Sequence, residues 1–244
     1  MTSDASKLPE QVLKVPVETR AALSFGDRFA AVLRGFGPLG ILAVLVILLP
    51  GNYPFAPLSA VLVLVWVRLS RTPWREIGFV RPESWTRDLA AGIALGVAFK
   101  LLMKAAVMPL LGAPPINQAY HYLAGNPVAL PGAAYLMIAG GGFGEETVFR
   151  GFLFERFGTL FGSAAGAKTG IVLLTAGLFA VSHYPEQGLA GVEQATITGL
   201  VFGTIFAVTG RILLPMVAHA AFDLTALAII YWNVESAVAH LIFK

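Results

Sequence analysis

Residues 41–49 read Ile-Leu-Ala-Val-Leu-Val-Ile-Leu-Leu, and residues 58–67 read Leu-Ser-Ala-Val-Leu-Val-Leu-Val-Trp-Val. A strand of a membrane barrel alternates polar and apolar side chains with a period of two. Neither stretch alternates, so the chain is expected to cross lipid as helices. Working outward, further apolar stretches fall at 35–50, 53–68, 88–111, 131–154, 168–184, 194–210 and 212–232. Several approach the ~20 residues that a spanning helix needs, and the first two are short. The expected fold is all-α, a polytopic transmembrane bundle of about seven to eight helices.

Composition agrees. The 244 residues are 57% hydrophobic and 13% charged, where a soluble domain carries about 25% charge. Mean hydropathy is +0.74. These values argue against a disordered chain, a nucleic-acid binder and a soluble Rossmann or TIM-barrel enzyme. The net charge of +3 suits the cytoplasmic loops of a membrane protein. There is no cysteine, hence no disulfide, thiolate metal site, cysteine nucleophile or thioester lipid anchor.

Charge placement suggests an orientation. The first residues are polar and mixed in charge, so 1–34 reads as a cytoplasmic tail that enters an amphipathic turn around Phe25–Arg34. Residues 35–244 then read as one membrane domain. Arg68, Arg71, Arg75, Arg81 and Arg87 crowd one linker, whereas Pro109 to Gly144 holds no charged residue. This alternation is what an N-terminus in the cytoplasm predicts. Lys100 and Lys104 interrupt the third apolar stretch at i, i+4, either snorkelling or lining a wet groove. Glycines recur at four-residue spacing at Gly140/Gly144, Gly162/Gly166/Gly170 and Gly199/Gly203, which favours close helix packing in lipid.

A few charges contradict this apolar setting. Between Val107 and Phe154 the charged residues are Glu145, Glu146 and Arg150, and between Ile212 and Val234 there is only Asp223. An isolated ionised group at the bilayer centre costs about 2.5–3.5 kcal/mol even on insertion scales. These groups must therefore meet one another or water. Glu146 and Arg150 share a helix face at i, i+4, as do His219 and Asp223. Pairing Glu146 with Arg150 leaves Glu145 without a local cation and free for chemistry. Phe179 sits one turn before His183 and can wall it. Taken alone, each pair reads as structural. Together, carboxylates and two imidazoles are an inventory for activating water, with or without a metal. The sequence contains no His-Glu-x-x-His, no Gly-x-Ser-x-Gly and no Gly-x-Gly-Asp.

Three motifs in order, Glu-Glu-x-x-x-Arg (Glu145, Glu146, Arg150), Phe-x-x-x-His (Phe179, His183) and His-x-x-x-Asp (His219, Asp223), resemble the CAAX-protease and bacteriocin-processing family. Thr72-Pro73-Trp74-Arg75-Glu76-Ile77-Gly78 resembles a stretch that often precedes this core. The resemblance covers about residues 70–232, with the motif core at 131–232. It implies an intramembrane endopeptidase acting on a membrane-associated protein or peptide, embedded in the lipid bilayer; the cysteine-free, compact make-up suggests a bacterial inner membrane. Carried over, it gives Glu145, Glu146, His183, His219 and Asp223 catalytic roles, and makes Arg150 and Phe179 substrate-binding or supporting residues. If the family's metal dependence holds here, zinc would be held by Glu145, His183 and His219. Asp223 departs from the Asn of prenyl-protein proteases, so it is better suited to orient His219 or ligate a metal than to bind an oxyanion. The competing readings are a non-enzymatic immunity or scaffolding protein, and a proton-coupled carrier. The carrier reading expects an inverted repeat, which the Glu-Glu segment lacks.

Overall fold

The computed structural model describes residues 24–49 and 56–243. Among the described residues there are nine helices and no strand. They are α1 (Phe25–Arg34), α2 (Pro38–Leu48), α3 (Ala56–Ser70), α4 (Trp85–Leu110), α5 (130–161), α6 (Ala165–Ser182), α7 (Tyr184–Thr209), α8 (Leu213–Tyr231) and α9 (Glu235–Ala239). By length and apolarity α4, α6, α7 and α8 can each cross a membrane, and α1 with α2, bent by 62°, forms either a broken fifth span or a re-entrant loop. Most of the expected tail, 1–23, lies outside the described residues. Phe25–Arg34 is a full helix, capped by the Ser24 hydroxyl accepting from the Asp27 amide.

The boundaries differ from expectation where the chain bends. The stretch expected at 194–210 extends back to Tyr184, with a break at Gly188 (φ 60°) that apolar counting cannot register. The stretch expected at 131–154 continues to residue 161, and its turns at Leu136–Glu145 and Thr147–Phe152 are π-wound. Such widened turns recur at functional sites.

Packing positions the motif helices. α4 lies along α8, α6 along α7, and α5 is clasped between α3 and α8. A Cβ added at Gly92 would stand 2.7 Å from the Val217 Cβ, and one at Gly96 would stand 2.8 Å from the Ala221 Cβ, so these two glycines let α4 touch α8. Gly199 plays the same part between α7 and α6, against Ala176 at 3.1 Å. Gly162, Gly166 and Gly170 were expected to pack as well, but none has an atom within 4 Å of an added Cβ. They face outward, because a small-residue stripe marks a contact only when a second helix lies over it.

Trp66, Val67, Ile77, Val148 and Phe152 form a core that joins α3 to α5, with the Trp66 and Phe152 rings edge-on at 5.0 Å. The Trp74–Ile77 turn ends at Gly78, which has φ 83° and an added Cβ would strike Phe206. Only glycine meets both demands. The buried Arg156 guanidinium chelates Glu155 and donates to the Arg34 carbonyl at 2.7 Å, tying α1 to the bundle.

Candidate active site

Glu145 and Glu146 leave α5 in different directions. Glu146 has no exposed surface, and its Oε1 accepts from Arg150 Nη1 at 2.8 Å, the i, i+4 pair expected from spacing. The same oxygen accepts from His219 Nδ1 at 2.7 Å. Glu146 therefore holds the His219 ring as well as pairing with Arg150. Asp223 Oδ2, at i, i+4 from His219, lies 3.5 Å from Nε2, on the other side of the ring. The bond between Glu146 and His219 rests on helix packing. An added Cβ at Gly142 would come within 2.9 Å of the Met216 carbonyl, so α8 sits close enough to α5 for a cross-helix bond to form.

With Nδ1 engaged, His219 Nε2 points between Asp223 and Glu145, whose Oε2 is 3.7 Å away. The Glu145 side chain keeps 24% of its surface, against none for Glu146. Behind the cluster, Arg150 stacks on the Phe179 ring at 4.6 Å and donates to the Gly199 carbonyl. Arg150 and Glu146 thus form the floor of the site rather than its lining.

His183 comes from the end of α6. Its Nδ1 lies 2.8 Å from the Phe179 carbonyl oxygen. A carbonyl only accepts, so in this bond Nδ1 carries the proton and Nε2 is left as an acceptor. The Phe179 ring packs against His183 at 4.5 Å and against His219 at 5.9 Å, filling the wall between them.

Glu145, Phe179, His183, His219 and Asp223 all line one cavity of about 520 Å³. A cavity of this size accepts a peptide segment or other small organic ligand. Gly141 keeps the acidic side open, since an added Cβ would lie 2.5 Å from Asp223 Oδ2. His183 stands at a helix end and Glu145 within a helix, yet the cavity reaches both.

Other polar residues on the cavity wall carry no motif. Tyr120, between α4 and α5, donates to Glu186 at 3.2 Å and accepts from Gln187 at 3.2 Å. Burial, and then the adjacent Glu186 charge, pushes its phenol above the usual range. Lys104 donates to the Pro115 carbonyl and to Glu235, which is buried. Lys100 donates to Gln194. The lysines were visible in the sequence as charges inside an apolar stretch. Tyr120, Gln187 and Gln194 had no such signal, because an uncharged polar residue in a linker or along a helix is ordinary.

Among the described residues no three His, Asp or Glu side chains are disposed to hold a metal ion. The Nδ1 bond from His219 to Glu146 leaves its Nε2 as the nitrogen that could face a ligand.

A family model described as Type II CAAX prenyl endopeptidase Rce1-like matches residues 127–225. Over this stretch the chain is similar to that family. The match contains all seven motif residues from Glu145 to Asp223 and is consistent with the CAAX-protease and bacteriocin-processing resemblance. It supports a CAAX-type protease, and with the membrane-length helices it makes the chain an integral membrane protein. No curated protein and no solved structure gives a significant match.

Proposed function

We propose that the protein is an intramembrane endopeptidase that hydrolyses a peptide bond of a membrane-associated protein or peptide, with Glu145 as the base. The observation that carries this reading is the convergence of Glu145, His183 and His219 on one cavity inside a helical bundle. We place the protein in a bacterial inner membrane on its cysteine-free, compact make-up, with its N-terminus in the cytoplasm on the arginine-rich linker between α3 and α4.

In this scheme a water molecule sits between the Glu145 carboxylate and His183 Nε2, both of which accept hydrogen bonds. Glu145 takes one proton as the water oxygen attacks the scissile carbonyl carbon. The carbonyl π electrons move onto oxygen, and His219, with Nε2 protonated, donates to that oxyanion. Glu146 keeps the His219 ring fixed through Nδ1. Glu145 then returns its proton to the amide nitrogen as the C–N bond breaks, giving an acid and an amine. Asp223 holds the far side of Nε2 until the substrate carbonyl takes its place. Phe179 and the apolar walls exclude bulk water, which strengthens each of these bonds.

Cleavage of a lipidated reporter peptide by the purified full-length protein tests the scheme. Glu145→Ala and His183→Ala should each abolish cleavage, and cleavage that survives both would overturn the mechanism. The same preparation, assayed for zinc and treated with a chelator, tests the metal-dependent variant. Activity lost to the chelator and regained with zinc would replace the scheme above with a zinc-assisted one.

A further inference from the structure

The two ends of the bundle carry different charges. One end is tied by arginines. Arg34 pairs with Glu76 at 2.9 Å, Arg211 with Glu83 at 2.9 Å and Arg71 with Asp27, and Arg156 donates to the Arg34 carbonyl. These contacts gather α1, the linker between α3 and α4, the end of α5 and the start of α8 at one level. There α5 also leads into α6, and Lys168 reaches the Ala207 carbonyl near the end of α7. The other end is tied by Asn117, Tyr120 and Gly125, bonded to Glu235, Glu186 and Tyr231 respectively. Residues 111–129, 183–188 and 232–243, which make up this end, contain no lysine or arginine.

The cavity is cut into the half without arginines. Its lining begins at Lys100 on α4 and at His219 on α8 and runs on toward that end. On α5 it stops at Glu145 and on α7 at Thr198, coming from that end. Among the described residues, none on the arginine side of these bounds lines it. There the bundle is filled: Glu146, Thr147, Arg150, Phe152 and Phe202 are each at most 1% exposed. The far rim carries Asn117, Tyr120, Glu186 and Gln187, polar groups that suit a peptide arriving from water. Loops rich in arginine stay in the cytoplasm. We propose that the catalytic cavity opens away from the cytoplasm, so that its substrate is a peptide segment on the outer face of the membrane. This rests on the endopeptidase reading above and deepens it. The substrate class narrows to exported polypeptides, either the outward part of a membrane protein or a secreted peptide held at the surface. Segments that stay in the cytoplasm are separated from Glu145 by the packed floor of Glu146, Arg150 and Phe202.

The chain has no cysteine, so single cysteines report exposure directly. The test expresses the full chain in bacterial spheroplasts and applies the cationic thiol reagent MTSET, which does not cross a membrane, before and after lysis. Ser236→Cys, at an exposed position of α9, should react in intact spheroplasts. So should Ala226→Cys, which lies in the cavity less than a turn beyond Asp223. Ser163→Cys, exposed between α5 and α6, should react only after lysis. Ala190→Cys, on the α7 wall of the cavity, serves if Ala226→Cys does not fold. Reaction of Ser163→Cys before lysis, or of Ser236→Cys only after it, overturns the orientation. Cavity cysteines that react only after lysis, or not at all, while Ser236→Cys reacts outside, overturn the outward opening. Labelling needs no turnover. Outward labelling of the cavity with no cleavage by the purified protein defeats the endopeptidase reading alone. Cleavage by the purified protein, with a cavity labelled only after lysis, defeats this proposal alone.

Discussion

Glu145 and Glu146 are neighbours in the chain with opposite burdens, and single substitutions should separate them. Glu146→Ala strands the buried Arg150 and releases His219. Removing one partner of a buried pair costs about 3–5 kcal/mol. Thermal or denaturant unfolding in micelles should show that loss, together with lost activity. Glu145→Gln keeps the size of a side chain that faces the cavity and stands 3.7 Å from His219 Nε2, outside hydrogen-bond distance. Its unfolding midpoint should stay near wild type while cleavage falls by about 10²–10⁴-fold, the usual worth of a general base. A Glu145→Gln protein as unstable as Glu146→Ala would overturn this division of labour.

Among the helices, the glycines make predictions of opposite sign from similar sequence. Gly96→Leu drives a side chain into α8, where an added Cβ already lies 2.8 Å from the Ala221 Cβ and 2.9 Å from the Phe222 nitrogen. The α4–α8 contact should open, and gel filtration in detergent should show aggregated protein. Gly170→Leu on α6 meets nothing within 4 Å and should leave a monodisperse, active protein. Gly78→Ala combines a positive φ with the Phe206 ring. It should destabilise by about 1–3 kcal/mol, the range for a residue held in a sparsely populated backbone region, as read by the unfolding midpoint. The four-residue glycine spacing was legible at Gly199 and Gly203, but not which other glycines meet a partner helix. That depends on the rotation of each helix about its axis, and α4, α6 and α7 have too little polar contrast around their circumference to reveal it.

At the scale of the molecule, the cavity is assembled from α4, α5, α6, α7, α8, the first residue of α9 and the segment between α4 and α5. Tyr120 joins that segment to α7 through Glu186 and Gln187. Burial raises its phenol pKa, so the neutral form is favoured by the folded state. A raised pKa contributes stability that is fully present below the unfolded value of 10.0 and is lost only as pH rises through the folded value. Ultraviolet titration should therefore show a tyrosine that ionises late or only on unfolding, and Tyr120→Phe should remove that tyrosine. The same variant should speed proteolysis between residues 111 and 129, because the tie to α7 is gone.

The sequence by itself determined that this is an all-helical membrane protein, and it picked out Glu145, Glu146, Arg150, His183, His219 and Asp223 as the polar exceptions, with Phe179 beside His183. It could do so because hydropathy and i, i+4 spacing are local properties of the chain. The i, i+4 pair of Glu146 with Arg150 formed as its spacing required. Only the tertiary structure decided that Glu146, 73 residues from His219, holds the ring at Nδ1. It likewise decided that Asp223 faces Nε2 and that Lys100 turns into the cavity. Those facts follow from how closely glycine lets α4 and α5 approach α8. A bond between distant residues exists only where helix backbones come near enough for side chains to span the gap, and no local pattern records that distance.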